Sequence, residues 1–294
     1  MNTRDLQYFA SLYERRTFTI VAKIYEVSEP AISQAIKRLE DSFGVQLVIR
    51  DRVHHSIHIT RAGTLLYHQA QSILNNIDVA RQEVREADQE KIRFGLPPFL
   101  GTAYLPQITR QLSKHQLLNR LAISDAGSAD QLSKIRAGEL DIALIGSSNL
   151  ILDHQLTVQH LGSRPFVIVV NAQSELAQLK RVHFADLAQF KFINLGDGFA
   201  HPSAFREFER HCNTYPKIIF HSPSVEWVKN MVRQNLGISF LCDAAVRDND
   251  TSLQKIQLLD DLPVSFNISL VTRSNYLFTK NERLLYDIIA NMKI

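Results

Sequence analysis

The stretch VSEPAISQAIKRLEDSFG, residues 27–44, constrains this chain more than any other. It has a hard start, a hard stop and one apolar face. Ser28 is a favoured N-cap, and Pro30 suits the first turn, where a missing N–H costs nothing. Ala31, Ile32, Ala35, Ile36, Leu39 and Phe43 fall on one arc of the helical wheel. Gly44 is a natural terminator. The other face carries Glu29, Ser33, Gln34, Lys37 and Arg38. Leu6, Phe9, Ala10 and Leu12 give residues 4–15 a helical stripe, and Phe18, Val21, Ala22 and Tyr25 give a second short helix over 17–25. Two short helices joined by a tight turn, with a third before them, make a helix-turn-helix.

The run VQLVIRDRVHHSIHITRAG then reads as a β-hairpin, two β-rich pieces flanking polar residues 51–56. Thr60 is a plausible cap for a long helix. Leu66, Ala70, Ile73, Ile77, Ala80, Val84 and Ala87 are spaced alternately four and three apart, a seam that predicts dimerisation. From residue 91 the texture changes to short apolar runs such as KIRFGL, LDIALIG, PFVIVV and FNISLVT, with helical stretches near 102–113, 129–138, 202–212 and 224–234. Alternating strand and helix predicts α/β with a largely parallel sheet, here as two subdomains with a cleft between them.

Charge does not announce a partner. The net charge is +3, so nucleic-acid binding must come from local placement. Residues 1–63 hold nine Lys and Arg against seven acids, so affinity is expected from paired half-sites. The two cysteines, Cys212 and Cys242, form no CxxC, which argues against a zinc site or disulfide framework and fits a reducing cytoplasm. No leader-like apolar run opens the chain and no segment approaches a membrane span.

These parts, in this order, resemble the LysR-type transcriptional regulators. The resemblance rests on Leu6 and Phe9, on TIVAKIYEVSEPAISQAIKRLEDSFGVQLVIR at 19–50 and ITRAG at 59–63. IRAGELDIALI at 135–145 and LGISFL at 236–241 add to it. It implies an α+β multidomain chain: a winged helix-turn-helix DNA-binding domain at 1–59, a dimerising linker helix at 60–89 and a periplasmic-binding-protein-like effector domain at 90–294. Lobe I would span about 90–164 plus 268–294, and lobe II about 165–267. Lys23, Glu29, Val48 and Cys242 depart from the family pattern, and Glu29 puts the target sequence in doubt. The run FGLPPFLGTAYLP at 94–106 resembles the malolactic-type subgroup, whose effector is associated with L-malate.

The polar face of the opening helix is then a recognition surface. The N-terminal part of such a helix meets base edges in the major groove. Ser28, Glu29, Pro30, Ser33, Gln34, Lys37 and Arg38 are the expected contacts, with Arg50, Arg52, His54 and His55 from the wing. Glu29 has two readings of equal weight: a carboxylate at the positive helix end, or a selector for cytosine. Leu66, Ala70, Ile73, Ile77, Ala80 and Val84 are the expected dimer seam.

Expected effector contacts are Phe99, Gly101, Thr102, Gly127, Ser128, Arg164, Gly196, His201 and Ser203. Helices starting near Thr102 and Ser128 would offer free N–H groups to a carboxylate, unless those residues simply cap their helices. His201 reads most simply as a surface loop histidine. Catalytic motifs such as GxGxxG, HExxH and GxSxG are missing, and the acid pairs, Glu139 with Asp141 among them, read as solvated or capping. No catalytic residue, metal or cofactor is expected beyond a small organic acid effector, with L-malate the first candidate. Expected partners are double-stranded promoter DNA, a second copy of the chain (as dimer, or tetramer by family habit) and RNA polymerase, in the cytoplasm and with no membrane. A cytoplasmic small-molecule-binding protein, or an enzyme on a two-lobed fold, is the competing reading.

Overall fold

The computed structural model describes residues 2–51, 56–86, 91–247 and 249–294. Arg52, His54, His55 and Ala87 lie outside the described residues. The chain forms two compact units, Met1–Asp88 and Gln89–Ile294.

The first unit contains helices α1 (Thr3–Arg15), α2 (Phe18–Ile24) and α3 (Glu29–Phe43), the antiparallel strands β1 (Val48–Asp51) and β2 (Ser56–Ile59), and the long helix α4 (Arg61–Glu86). The boundaries follow from capping. Ser28 Oγ accepts from the Ala31 N–H at 3.4 Å, and Gly44 closes α3 with φ +67°. Thr60 Oγ1 accepts from the Gly63 N–H at 3.0 Å at the start of α4. Phe9, Leu12, Val21, Ile32, Ala35 and Leu39 are fully buried and form the core. Truncating any one of the larger ones to Ala would cost about 2–5 kcal/mol. Phe43, expected on the buried arc, is 47% exposed because the helix stops one residue later.

The regular seam expected along α4 is split. Leu66 and Ala70 are buried in the core of their own unit, packed with α1 and its neighbours, so they are not available to a partner. Beyond them Ile73 is 40% exposed, Ile77 is half-buried, Ala80 is exposed and Val84 is 78% exposed. The first turns of α4 therefore belong to the first unit, not to a separate linker.

The second unit has two lobes. Lobe I holds β3 (Ile92–Gly95), α5 (Pro98–Lys114), β4 (Leu121–Ser124), α6 (Ser128–Ala137), β5 (Ile142–Ser147) and β6 (Leu156–Arg164). The chain returns to it with β13 (Phe266–Arg273) and α9 (Lys280–Ala290). Lobe II holds β7 (Phe166–Asn171), β8 (Arg181–Val182), β9 (Phe192–Leu195), α7 (His201–Cys212), β10 (Ile218–Ser222), α8 (Val225–Arg233), β11 (Ser239–Cys242) and β12 (Leu253–Leu258). Lobe I carries a sheet of order β4-β3-β5-β13-β6, and lobe II carries β11-β7-β12-β8 and the pair β10-β9.

The sheets are mixed, not largely parallel. β3 runs parallel to β4 and β5, but β13 is antiparallel to β5 and β6, and β7 is antiparallel to β11 and β12. The two antiparallel strands of lobe I, β6 and β13, are those through which the chain leaves for lobe II and comes back. Asp141 is not a solvated acid: it is 2% exposed and accepts from the Arg93 backbone N–H at 2.8 Å and from the Arg93 guanidinium.

Candidate DNA interface and effector cleft

The cap at Ser28 sets α3 with Glu29 and Pro30 in its first turn, and Ser28, Glu29, Pro30, Gln34, Lys37 and Arg38 are all exposed. Several are held by other side chains. Thr19 Oγ1 donates to Glu29 Oε1 at 2.6 Å, so this carboxylate ties α2 to α3 across the turn. Arg50 lies 3.8 Å from the centre of the Phe18 ring and donates to Ser33 Oγ, which fixes the base of the hairpin against α3. Gln34 and Lys37 make no hydrogen bond among the described residues and project freely.

Arg38 departs from expectation. Its guanidinium makes a two-pronged ion pair with Asp5, a carboxylate only 1% exposed. A buried carboxylate needs a partner, so Arg38 holds Asp5 through Nε and Nη2 while its own side chain stays 48% exposed. That hydrogen bond holds the Arg38 pKa above its ordinary value.

In the second unit the helix starts decide the chemistry. The first turn of a helix leaves N–H groups without intrahelical acceptors, and the helix dipole adds positive potential there. α5 begins at Pro98, four residues before Thr102; the Thr102 hydroxyl donates to the Pro98 carbonyl at 3.0 Å, and Thr102 is neither cap nor N-terminal donor. The donors there are the N–H groups of Phe99 and Leu100. Ser128 is the first residue of α6, not its cap, and its Oγ accepts from the Gly146 N–H at 3.2 Å. α7 begins at His201.

These three helix starts meet. A cavity of about 20 Å³ is lined by Pro97, Phe99, Leu100, Gly127, Ser128, Gly198, Phe199, His201 and Phe266, among others. It has room for about one water molecule. The lobes touch beside it: a Cβ on Gly127 would lie 2.8 Å from the Gly198 carbonyl oxygen, and Gly198 itself takes φ +96°. The closeness requires glycine at 127, and the positive φ favours it at 198. No Lys, Arg, Asp or Glu lines the cavity.

His201 is buried, not a surface residue. It is 2% exposed and ringed by Phe99, Phe166, Phe199 and Phe266 at centroid distances of 5.4–6.3 Å. Its Nε2 accepts from the Cys242 backbone N–H at 3.1 Å. Burial pushes its pKa down to about 3, so the ring is neutral at physiological pH.

The other expected contacts fall elsewhere. Arg164 is committed to Asp243, both contacts at 2.9 Å, where the chain crosses between lobes. The Gly196 N–H is used by the Ser222 carbonyl at 2.9 Å. Gly101 and Ser203 line neither this cavity nor the larger cleft nearby. That cleft, about 450 Å³, shares Phe99 with the cavity and is also lined by Thr102, Val225, Glu226, Lys229, Arg233 and Arg247. Lys229, which sequence reasoning missed, is 7% exposed and donates to Glu226 Oε1 at 2.9 Å. Its signal was its place on the inner arc of α8, four residues after Val225 and three before Val232.

Both thiols are held protonated. Burial, with the Asp260 carboxylate adding to it, raises Cys212 to about 11, and burial raises Cys242 to about 12. Among the described residues no group of His, Cys, Asp and Glu could hold a metal ion, and no helix is long and apolar enough to cross a membrane.

A helix-turn-helix with a hairpin, followed by a two-lobed mixed α/β unit with a cleft where helix starts converge, defines a class of ligand-responsive DNA-binding regulator. Residues 3–64 match the bacterial regulatory helix-turn-helix protein of the lysR family, and residues 85–292 match the LysR substrate binding domain. The chain belongs to the LysR family: it is a DNA-binding transcriptional regulator with an effector-binding domain, and not an enzyme. It is 30% identical to the malolactic fermentation system transcriptional activator of Lactococcus lactis subsp. lactis, over 100% of this chain and 99% of that one. It is also 30% identical to the DNA-binding transcriptional dual regulator OxyR of Escherichia coli, over 84% of this chain and 80% of that one. Among solved structures it shares the fold of HinK, a LysR family regulator from Pseudomonas aeruginosa. The TM-score is 0.56 at 24% identity, over 98% of this chain and 97% of that one.

Proposed function

We propose that this regulator responds to a small organic acid, with L-malate as the first candidate, bound where the N-termini of α5, α6 and α7 meet. The observation that carries this reading is the convergence itself. Three helix starts, from both lobes, aim backbone donors and positive dipole ends at one point. An anion there is held by oriented peptide groups without a fixed cation. The similarity to a malolactic system activator supports L-malate among such acids. The cavity has room for about one water, so a four-carbon acid enters only if the lobes part and reclose on it. A ligand shifts such an equilibrium only by its differential affinity for the two states.

On the DNA side, Gln34 and Lys37 read the major groove, Arg50 and Ser33 brace the hairpin, and Glu29 positions α2 against α3. The exposed second half of α4, at Ile73, Ile77 and Val84, associates with a second copy. The test is footprinting on the DNA upstream of the gene, with and without L-malate and its uncharged diamide. A footprint that changes with the acid and not with the diamide supports the reading. A footprint indifferent to every mono- and dicarboxylate at millimolar concentration ends it, while DNA binding by α3 would stand.

This regulator does not share the hydrogen peroxide response of relatives such as the hydrogen peroxide-inducible genes activator of Dickeya chrysanthemi. A peroxide sensor needs a reactive thiolate, and both thiols here are shifted the other way.

A further inference from the structure

Among the described residues that line the convergence point, His201 is the one buried side chain with an unused polar atom. Its Nε2 accepts a hydrogen bond from the backbone N–H of Cys242, a group that can only donate. A neutral imidazole carries one proton, so with Nε2 accepting, that proton sits on Nδ1. Nδ1 has no hydrogen-bond partner and is fully enclosed. A buried unmade donor is costly, and the four phenylalanine rings around it offer no acceptor in the ring plane. His201 lines the small cavity together with Ser128 and the first turn of α5.

We infer that His201, locked as its Nδ1–H tautomer by the Cys242 backbone, is a specificity residue that donates to a carboxylate oxygen of the acid effector. The inference rests on the acid reading of the cleft and adds the atom that recognises the acid. A neutral donor lets the site take an anion without itself titrating. The phenylalanine walls would contact the carbon skeleton, which restricts the ligand to a compact acid with its polar atoms at the ends.

Two variants separate recognition from packing. His201→Gln can keep an acceptor near the reach of Nε2 for the Cys242 N–H but removes the donor at Nδ1. His201→Asn can keep a donor near the reach of Nδ1 and loses the Nε2 acceptor. Calorimetry of L-malate on the full chain should show affinity falling roughly ten- to a hundredfold in His201→Gln. His201→Asn should be affected less, even if it melts at a lower temperature. Nitrogen NMR of the protein labelled at histidine, assigned through these variants, should show the Nδ1–H tautomer, with the Nδ1 proton moving downfield as L-malate is added. An Nε2–H tautomer overturns the inference, and so does L-malate binding wild type and His201→Gln equally; in both cases the acid reading stands. If wild type binds no carboxylate at all, the acid reading falls and takes the inference with it.

Discussion

The recognition helix and the effector cleft carry their chemistry in opposite ways. α3 presents flexible, charged, exposed side chains on one continuous helix, and its neighbours spend some of them, Arg38 on Asp5 and Glu29 on Thr19. The small cavity between the lobes presents backbone N–H groups from three helices whose starts lie at residues 98, 128 and 201, with one buried neutral histidine and no Lys, Arg, Asp or Glu in its lining. The difference teaches that charge is used where the partner is a long polyanion approached through water. On the proposed reading, oriented dipoles serve where the partner is a small ion enclosed by the protein. The first mode is salt-sensitive, and the second is shielded from salt by burial.

The sharpest break should come from the exposed half of α4. On the proposed reading, Ile73→Asp combined with Ile77→Asp places charge where two copies would meet, and sedimentation should show smaller species. Operator affinity should fall about a hundredfold or more, because paired half-sites no longer act together. An unchanged mass would mean that this surface does not hold copies together. Next in size is the α3 surface. Gln34→Ala should cost about 1–3 kcal/mol and relax one base position, whereas Lys37→Ala should weaken all sequences alike and flatten the salt dependence. Neither should move the melting temperature. Arg38→Ala should lower it, because Asp5 is left buried without its partner. If Arg38→Ala lost DNA affinity with no change in melting, Arg38 would be a DNA contact after all.

Smaller effects test the cleft. Gly127→Ala adds a Cβ 2.8 Å from the Gly198 oxygen and should oppose lobe closure, lowering L-malate affinity severalfold without touching DNA-binding residues. His201 gives a pH signature. Its folded pKa is depressed from 6.5 to about 3, so between these values the unfolded chain binds a proton that the native chain does not. Stability of the second unit should therefore fall as pH drops below about 6.5 and level off near 3. His201→Phe should flatten that slope in acid melts; an identical slope would mean that other groups control it. The smallest expected effect is none: Cys212→Ser and Cys242→Ala should leave the response to L-malate and the indifference to peroxide unchanged.

How much was legible follows the same division. α3 announced itself because its cap, proline, apolar arc and terminator are contiguous, and one helical period carries them all. The split of the α4 seam was not legible, because a four-three spacing reads the same whether α1 or a partner covers it. Arg38 lies off the apolar arc of α3, and nothing in the spacing shows that Asp5, 33 residues away, waits beneath it. In the second unit most apolar runs became strands, but β6 was missed, since its LTVQHLGSR is largely polar and gives no clean alternation. α9 was passed over although Thr279 and Glu282 form a capping box that the sequence displays. For the second unit, GLPPFLG, DAGSAD and GDGFAHP each contain a helix start, and that shared texture pointed to Gly127, Ser128 and His201, which all line the small cavity. It misplaced Thr102 because two prolines start α5 earlier. The burial of His201 depends on rings from three distant segments, Phe99, Phe166 and Phe266, beside its neighbour Phe199, which no local pattern encodes.

The central claim is that acid binding in the cleft and DNA binding through α3 are coupled in one regulator. The most direct measurement is the L-malate dissociation constant of the full-length protein, free and saturated with operator DNA, beside the operator dissociation constant with and without L-malate. Coupling between two sites is reciprocal. The account predicts that the two ratios differ from one and agree with each other, and that both return to one for the uncharged diamide. Equal L-malate affinity with and without operator would contradict it, leaving a DNA-binding protein whose cleft does not report an acid to its DNA.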